Sequence, residues 1–364
     1  MKILICPDSF KGTLSSREAA DAIELGVRTV IPDAEIIKLE IGDGGEGTVG
    51  ALVRNLRQKG YSFQRIDCRV SDPLGREITA SYYVEGSRAY IEVASAGGLT
   101  LIQASERDVM KADSKGTGQL IVDAYGRGCR EFVITLGGSA TCDGGKGIYE
   151  ELQALQSRVW GERSGVLLPD CRFRLLCDVR NPMCGPQGAA AVFAPQKGAS
   201  AEQVIILEKR LLELSGLFRR HRNIDVADAE FGGAAGGISG MLLACCNAEA
   251  VDGIDYMLST IDFPNMLQGC DLVITGEGCL DTTTLHGKAV SGIYKACRER
   301  NVPLGVIAGR VNLPTLALSE SIVVEEATPR GLSLSESHPW ASFVAEASRR
   351  LIGSKELSLR YEEG

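Results

Sequence analysis

Short apolar runs that end in glycine-rich, acidic loops recur along this chain. The run KILIC, residues 2–6, leads into PDSFKG, and EIIKLEI, residues 35–41, leads into GDGGEG. Near the other end, CDLVIT, residues 270–275, leads into GEGCLD. A helix is expected after each loop, and the first begins with the capping box Ser15-x-x-Glu18. This strand–loop–helix order at both ends predicts a parallel sheet with crossover helices.

The middle of the chain has a different rhythm. Short alternating strands, such as ITASYYV at 78–84, are separated by turns that contain glycine or proline. A length of 364 residues suits two domains. We therefore predict an α/β fold in which residues 1–65 and 266–364 form a discontinuous, Rossmann-like, doubly wound domain with a parallel sheet. Residues 66–265 are predicted to form an inserted mixed α/β domain, with the active site in the cleft between the two.

Composition disfavours several classes of partner. The formal net charge of −8 and an aromatic content of 5% argue against nucleic acid and anionic membranes. The chain has neither a signal-peptide pattern nor an apolar run of membrane-spanning length, so a cytoplasmic location is predicted. The 12 cysteines contain no C-x-x-C pair and there are only 3 histidines. We interpret the cysteines as reduced, buried side chains rather than zinc ligands.

Five loops combine carboxylates with glycines, hydroxyls or basic side chains, and most follow a predicted strand. The carboxyl ends of strands form the ligand site of an open α/β sheet. Glycine loops let backbone N–H groups approach phosphate oxygens, and one or two carboxylates with nucleotide phosphates hold Mg²⁺. An Asp can accept the proton of an attacking hydroxyl, and a Lys can neutralise the transferred group. Together the loops predict phosphoryl transfer.

A second nucleotide motif is also present. Gly42, Gly44 and Gly47 form G-x-G-x-x-G between a strand and a helix, and Asp67 follows at about the spacing of a dinucleotide-binding fold. Two carboxylates inside that loop would repel a pyrophosphate unless a metal bridged them. A metal–phosphate role is therefore favoured over NAD binding. The P-loop pattern does not occur, which argues against a Walker-type ATP site.

Structural interpretations of the same residues stay open. Asp8 and Asp43 could be helix caps or turn formers, and Asp143 could form an Asx turn. The lysines could be solvated surface charges, and His286 is interpreted as structural or solvated.

Six segments closely resemble motifs of the bacterial glycerate kinase family of the type without a P-loop. They are PDSFKG at 7–12, DGGEGT at 43–48, GGSATCDGG at 137–145, CDVRNPMCGPQGAAAVFAPQKG at 177–198, GAAGGISG at 233–240 and TGEGCLD at 275–281. They follow one another in order over nearly the whole chain. The resemblance implies ATP-dependent phosphorylation of D-glycerate, generally at the 2-hydroxyl, and a two-domain α/β fold with a Rossmann-like part.

The chain departs from the family pattern in two places. Cys142 stands where the family usually has Asn in its T-N-D-G-G loop, so a side-chain amide is lost. The segment between Gly147 and Cys177 is shorter than usual, which bears on the edge of the inserted domain, on substrate choice and on oligomer contacts.

Each candidate residue receives a predicted role. The predicted catalytic residues are Asp178 or Asp43 as the base, with Lys11. Glycerate is expected to contact Asp8, Ser9, Lys11, Arg180 and Asn181, and the expected Mg²⁺ ligands are Glu277, Asp281, Glu46 and Asp143. Phosphate contacts are predicted for Gly44, Gly45, Gly137, Gly138, Ser139, Gly276, Gly278 and Lys288. Lys11 and Lys288 are candidates for neutralising either the ATP phosphates or the glycerate carboxylate. The alternatives are a kinase for another hydroxy or sugar acid, or a non-catalytic nucleotide-binding regulatory homologue. The protein is predicted to be a monomer or homodimer.

Overall fold

The computed structural model of the protein describes residues 1–10, 12–160, 168–281, 288–312, 322–329, 331–332 and 338–354. Lys11 and His286, which the sequence analysis considered, lie outside these residues. Within the described part the chain forms eleven strands and twelve α-helices.

The strands are numbered in chain order. They are β1 (Lys2–Ile5), β2 (Glu35–Lys38), β3 (Gln64–Ser71), β4 (Glu77–Glu85), β5 (Arg88–Glu92), β6 (Glu131–Thr135), β7 (Arg172–Cys177), β8 (Glu249–Asp252), β9 (Leu272–Leu280), β10 (Leu304–Val311) and β11 (Ile322–Glu326).

The helices are numbered in the same way. They are α1 (Ser16–Val30), α2 (Thr48–Gln58), α3 (Ala94–Gly97), α4 (Lys115–Gly126), α5 (Lys146–Trp160), α6 (Ala189–Phe193), α7 (Ala201–Arg222), α8 (Ile238–Cys246), α9 (Gly253–Thr260), α10 (Phe263–Met266), α11 (Ala289–Glu299) and α12 (Trp340–Ile352).

The chain divides into two compact units. The first contains residues 1–43, 54–56 and 254–364, and the second contains residues 44–53 and 57–253. The predicted domain boundaries at residues 65 and 265 stay a prediction. The compact units are defined by contacts, and contacts do not show which segments fold independently. The predicted position of the active site in a cleft also stays a prediction.

The first unit is built on a five-stranded parallel sheet in the order β11-β10-β9-β1-β2. Counted within this unit, the order is 2-1-3-4-5, that of flavodoxin-like doubly wound folds. The chain reverses its direction of winding between β1 and β9. Ligands of such sheets bind outside the carboxyl ends of the strands at this switch point.

Alternation of side chains explains how both faces of this sheet are covered. Ile3 and Ile5 pack in one apolar cluster with residues of α1 and α12, and Leu4 between them is equally buried. Neighbouring strand residues point to opposite faces, so a fully buried run is expected when helices cover both faces. The predicted capping box at the start of α1 is confirmed, since the Ser15 hydroxyl accepts from Glu18 N and the Glu18 carboxylate accepts from Ser15 N.

The second unit contains a six-stranded mixed sheet in the order β3-β4-β5-β6-β7-β8. The first three strands are antiparallel neighbours, whereas β5 to β8 run parallel. The predicted fold class is thus confirmed: one parallel and one mixed α/β arrangement. No helix in the described part of the chain is long and apolar enough to cross a membrane.

Two elements of the second unit have no counterpart in the sequence analysis. The stretch after the GGSATCDGG loop forms helix α5, which was not predicted. The glycine-rich segment 231–240 leads into α8, which begins at Ile238. The backbone of this segment packs closely: a Cβ atom on Gly236 would lie 2.1 Å from the Thr141 carbonyl oxygen.

Helix α1 packs against α12 at a position that has no room for a side chain. A Cβ atom on Gly26 would lie 2.1 Å from the Ala345 carbonyl oxygen. We expect Gly26→Ala to destabilise the protein by about 1–3 kcal/mol, because the helices must move apart. Thermal unfolding followed by circular dichroism measures this.

Gly216 in α7 is the matched control, since a Cβ atom there would make only an ordinary contact at 3.8 Å with Arg220. Gly216→Ala should stabilise the protein by roughly 0.5–1 kcal/mol through helix propensity. Equal unfolding midpoints for the two variants would contradict the packing argument.

Candidate functional site

The predicted site residues fall into two clusters, one in each unit. The first lies at the switch point, where the PDS loop after β1 runs beside the second half of β9. Asp8 N donates to the Gly276 carbonyl at 2.9 Å, and Thr275 Oγ1 donates to the Cys6 carbonyl at 2.9 Å. The predicted start of a GEGCLD loop at residue 276 is wrong, because residues 276–280 still belong to β9 and pair with β10.

A cavity of about 250 Å³ opens beside these loops. One part of its lining is polar and the other is apolar and partly aromatic. The lining residues are Asp8, Ser9, Phe10, Thr13, Leu14, Asp43, Glu277, Gly278, Cys279, Asp281, Lys288, Gly309, Ala327, Thr328, Trp340, Phe343 and Val344. The structure therefore brings together Asp8, Ser9, Asp43, Glu277, Gly278, Asp281 and Lys288 from three of the predicted loops.

Among the described residues that line this cavity, Lys288 is the only one with a positively charged side chain. Its Nζ lies 3.9 Å from Glu277 Oε2, and the two side chains are 26% and 10% exposed. Lys288 immediately precedes α11, so its backbone position is set by the helix start. The ammonium of such a pair can neutralise the negative charge of a phosphate, and the carboxylate can neutralise the positive charge of a metal ion.

The glycines of β9 and β10 near this cavity have a packing role. A Cβ atom on Gly276 would lie 2.3 Å from the Ile307 carbonyl oxygen, and one on Gly309 would lie 2.3 Å from the Gly278 carbonyl oxygen. Close approach of β9 and β10 therefore requires glycine at 276 and 309. Phosphate binding by Gly276 and Gly278 stays a prediction.

The second cluster lies at the carboxyl ends of β6 and β7, with the GDGGEG loop beside them. Gly137 N donates to the Gly44 carbonyl at 3.0 Å. A Cβ atom on Gly137 would lie 2.5 Å from Gly45 Cα and 3.0 Å from Asp178 Oδ2. One on Gly138 would lie 3.3 Å from Glu46 Cβ. The two glycine loops and Asp178 are thus in direct contact.

Lys197 belongs to this cluster, although the sequence analysis did not single it out. Its Nζ donates to Ser139 Oγ at 2.9 Å and to the Thr141 carbonyl at 2.7 Å, and the residue is 4% exposed. Burial lowers the pKa of Lys197 to about 8, and the negative charges of Asp143 and Asp178 act in the opposite direction. A lysine within the largely apolar segment GAAAVFAPQKG was the available signal.

Glu92 is a second residue that sequence reasoning missed. It ends β5, and its Oε1 accepts from Val49 N at 2.8 Å, in the first turn of α2. Burial raises the pKa of Glu92, whereas the N–H donors at the start of α2 lower it. A carboxylate suits the positive end of a helix, so Glu92 fixes the helix that follows the GDGGEG loop.

Asp143 links the start of α4 to the start of α5. Its oxygens accept from Ser114 N and Oγ at 3.0 and 2.6 Å, from Gly145 N at 3.1 Å and from Gly147 N at 3.2 Å. Burial raises the pKa of Asp143, and these donors oppose the rise. Four donors occupy the lone-pair sites of a carboxylate, which favours the structural alternative. Metal binding by Asp143 stays a prediction that this geometry does not favour.

Arg180 and Asn181 bond to the protein itself. Arg180 Nε donates to Asp252 Oδ1 at 3.1 Å and its Nη2 donates to Asp252 Oδ2, while Nη1 donates to Glu230 Oε1 at 2.5 Å. Asn181 Nδ2 donates to the Gln187 carbonyl at 2.8 Å. Contact with a substrate carboxylate stays a prediction, and it would require Arg180 to exchange one of these partners.

The donor set near Lys288 suits magnesium bound together with phosphates. In the described part of the chain no three or more His, Cys, Asp or Glu side chains converge as a complete metal site. Glu277 and Asp281 offer oxygen donors on one cavity wall. One or two carboxylates with substrate phosphates and waters are the usual protein environment of Mg²⁺.

The dinucleotide interpretation of Gly42, Gly44 and Gly47 finds no support in the topology. Strand β2, before this loop, belongs to the parallel sheet, whereas Asp67 lies on β3, at the edge of the mixed sheet and antiparallel to β4. In a dinucleotide-binding fold, the loop and the ribose-binding acid follow parallel strands of one sheet. Asp67 instead pairs with Arg65 and accepts from Ser81.

Comparisons with known proteins agree with one another. A model of the glycerate kinase family matches residues 3–167 and 162–336. The "Glycerate 2-kinase" of Escherichia coli (strain K12) is 37% identical over 329 residues, covering 85% of each chain. The "Glycerate kinase" of Bacillus subtilis (strain 168) is 39% identical over 335 residues, covering 86% of each. A crystal structure assigned as glycerate kinase 2 from Salmonella typhimurium LT2 has a TM-score of 0.76 and 34% identity, covering 100% of this chain and 99% of that one.

The buried Lys197 should make stability depend on pH in a specific window. Its folded pKa of about 8 lies below the reference value of 10.5, so the unfolded chain binds more protons between these pH values. The free energy of unfolding of the wild type, relative to Lys197→Met, should rise between pH 8 and 10.5 by on the order of 3 kcal/mol.

Urea unfolding at a series of pH values measures this difference. Lys209→Met, at an exposed position of α7, controls for the loss of one positive charge. A difference between wild type and Lys197→Met that stays constant from pH 7 to 10.5 would rule out the charged, desolvated lysine.

Proposed function

The chain belongs to the glycerate kinase family and is a kinase, and from this premise we propose that it transfers the γ-phosphoryl group of ATP to the 2-hydroxyl of D-glycerate with the aid of Mg²⁺. The cluster around Asp178 is the observation that carries the proposal. An acid at the end of β7, two glycine loops and a buried lysine lie in direct contact there. These are the groups that phosphoryl transfer requires.

We assign Asp178 as the base. Its Oδ2 lies beside the backbone of Gly137, and its negative charge acts on the buried Lys197 nearby, whose pKa it raises against the effect of burial. The glycerate hydroxyl oxygen forms a bond to the γ-phosphorus while the bond from that phosphorus to the bridging oxygen breaks. ADP leaves, and the hydroxyl proton passes to Asp178. Asp43, the alternative base, lines the cavity of the first unit.

The remaining proposed roles concern positioning and charge. Lys288 neutralises phosphate charge beside Glu277, and Glu277 and Asp281 would hold Mg²⁺. The metal, when bound, would neutralise charge on the phosphate oxygens. Lys197 fixes the loop that carries Ser139, so that its backbone N–H groups keep one orientation.

Glycerate contacts are proposed for Asp8 and Ser9, with Lys11 outside the described residues. The Escherichia coli relative is named as a glycerate 2-kinase, which supports the 2-hydroxyl as acceptor. Cys142 and the shortened segment after Gly147 are the features that favour a shifted acceptor, another hydroxy or sugar acid, as the second candidate. We also propose a cytoplasmic location, which the 12 free thiols support. The proposed oligomeric state is a monomer or a homodimer.

Purified protein should consume ATP only when Mg²⁺ and D-glycerate are both present. L-glycerate and a sample without acceptor are the controls, and ³¹P NMR of the product identifies the phosphorylated hydroxyl. Turnover with another hydroxy acid but not with D-glycerate would overturn the substrate assignment. Nucleotide binding without any turnover would favour a non-catalytic homologue.

Asp178→Asn should lower kcat by roughly 10²–10⁴-fold, because the amide cannot accept the proton. Asp170→Asn is the matched control: Asp170 lies just before β7, at the opposite end of the same strand, and pairs with Arg130 at 2.8 Å. Steady-state kinetics, with circular dichroism to verify folding, compare the two. A folded Asp178→Asn variant with wild-type kcat would remove Asp178 from this role.

A further inference from the structure

The cavity of the first unit has an apolar side that phosphoryl transfer alone does not explain. Phe10, Trp340, Phe343 and Val344 line it, together with Leu14. The chain contains only 2 tryptophans and 9 phenylalanines, yet three of these side chains meet at this one cavity. Glycerate, Mg²⁺ and phosphates are polar or charged, so none of them matches such a wall.

The wall is held by a rigid element. Trp340, Phe343 and Val344 are spaced i, i+3, i+4 and so lie on one face of α12. The same helix buries Ala347 and Leu351 in the apolar cluster of the first unit. The aromatic surface is therefore positioned before any ligand arrives.

Among the described residues, the ring neighbours of Trp340 leave indole surface for a further planar group. The rings of His338 and Phe343 meet it at 88° and 81°, with centroids 5.1 and 5.9 Å away. Neither neighbour is stacked in parallel on an indole face, and the residue is only partly buried. Planar aromatic ligands bind such a surface by stacking.

The positions of the two sides of the cavity indicate the shape and charge of its ligand. Ala327 and Thr328 of the apolar side follow β11, whereas on the polar side Glu277 lies on β9 at the switch point and Lys288 lies beside it. A ligand that fills both sides has a planar apolar group at one end and negative charge at the other. A cavity of about 250 Å³ is smaller than that of a typical drug-sized ligand, so it suits one part of a nucleotide.

We infer that the apolar side of this cavity is the nucleobase subsite, in which the purine ring of ATP stacks on Trp340 beside Phe343. The phosphates then extend towards Lys288 and the carboxylates of Glu277 and Asp281. This inference rests on the proposed use of ATP and adds to it the part of the chain that recognises the base. Base–aromatic stacking tolerates different bases, so GTP is expected to replace ATP in part.

Kinetics and binding test this subsite together. Trp340→Ala should raise the KM for ATP about ten- to hundredfold with kcat nearly unchanged, since stacking contributes equally to the ground and transition states. Trp340→Phe should fall between wild type and Trp340→Ala, because it keeps a ring. Inhibition by inorganic triphosphate, which has no base, should be unaffected by either change.

Tryptophan fluorescence gives an independent readout. Trp160, the last residue of α5, is the other tryptophan, so Trp160→Phe leaves Trp340 as the single fluorophore and is the matched control for activity. Its emission should change on titration with Mg²⁺ and ADP, and should not change with inorganic triphosphate. A wild-type KM for ATP in Trp340→Ala would overturn the inference, as would an unchanged emission at saturating ADP.

Failure of this inference and failure of the proposed function are distinguishable. ADP binding that depends on Trp340 in a protein that does not phosphorylate glycerate would sustain the subsite and overturn the substrate assignment. Normal glycerate phosphorylation by Trp340→Ala, with an unchanged KM for ATP, would sustain the substrate assignment and overturn the subsite. The Trp340→Phe variant keeps the test valid if Trp340→Ala fails to fold.

Discussion

The parallel pairing of β1 with β9 is the constraint on which the rest of the structure depends. Cys6 and Thr275, which lie just past the paired residues, are 269 positions apart along the chain. The loop after β1 and the carboxyl end of β9 reach the same edge of the sheet only because this pair forms. The places of Asp8 and Glu277 in the lining of the cavity follow from it. The long segment between the two strands contains the whole second unit, and this division also results from the pairing.

The glycines of the candidate site are required first by packing. At Gly276 and Gly137 a single added carbon would collide with backbone atoms of a neighbouring strand or loop. Packing alone therefore requires these backbones to lie close together without side chains, before any ligand is considered. This order of causes explains why glycine-rich loops occur in both units, around two different sheets.

Local signals made much of the fold predictable from the sequence. The capping box at Ser15 and the strand–loop–helix order need only neighbouring residues. Helix α5 was missed because it follows a glycine-rich loop and has a glycine as its second residue, which lowers the helix signal.

The site was predictable only where a residue's own segment carries the signal. Asp178 directly follows an apolar strand, and Glu277 closely follows the apolar run 270–275. Lys197 and Glu92 carry no such signal, since their partners Ser139 and Val49 lie 58 and 43 positions away in sequence. Arg180 and Asp143 bond to partners distant in sequence that no local pattern predicts, and ligand binding by them stays a prediction.

The pairing of β1 with β9 also sets an order of events during synthesis. The ribosome completes residues 44–253, the bulk of the second unit, before any part of β9 exists. Strand β1 can pair with β2 early, but its other edge stays open until Leu272–Leu280 emerge. An open, apolar strand edge is a template for pairing with other chains. The nascent protein thus carries an aggregation hazard at β1, and the hazard ends only when the last quarter of the chain arrives.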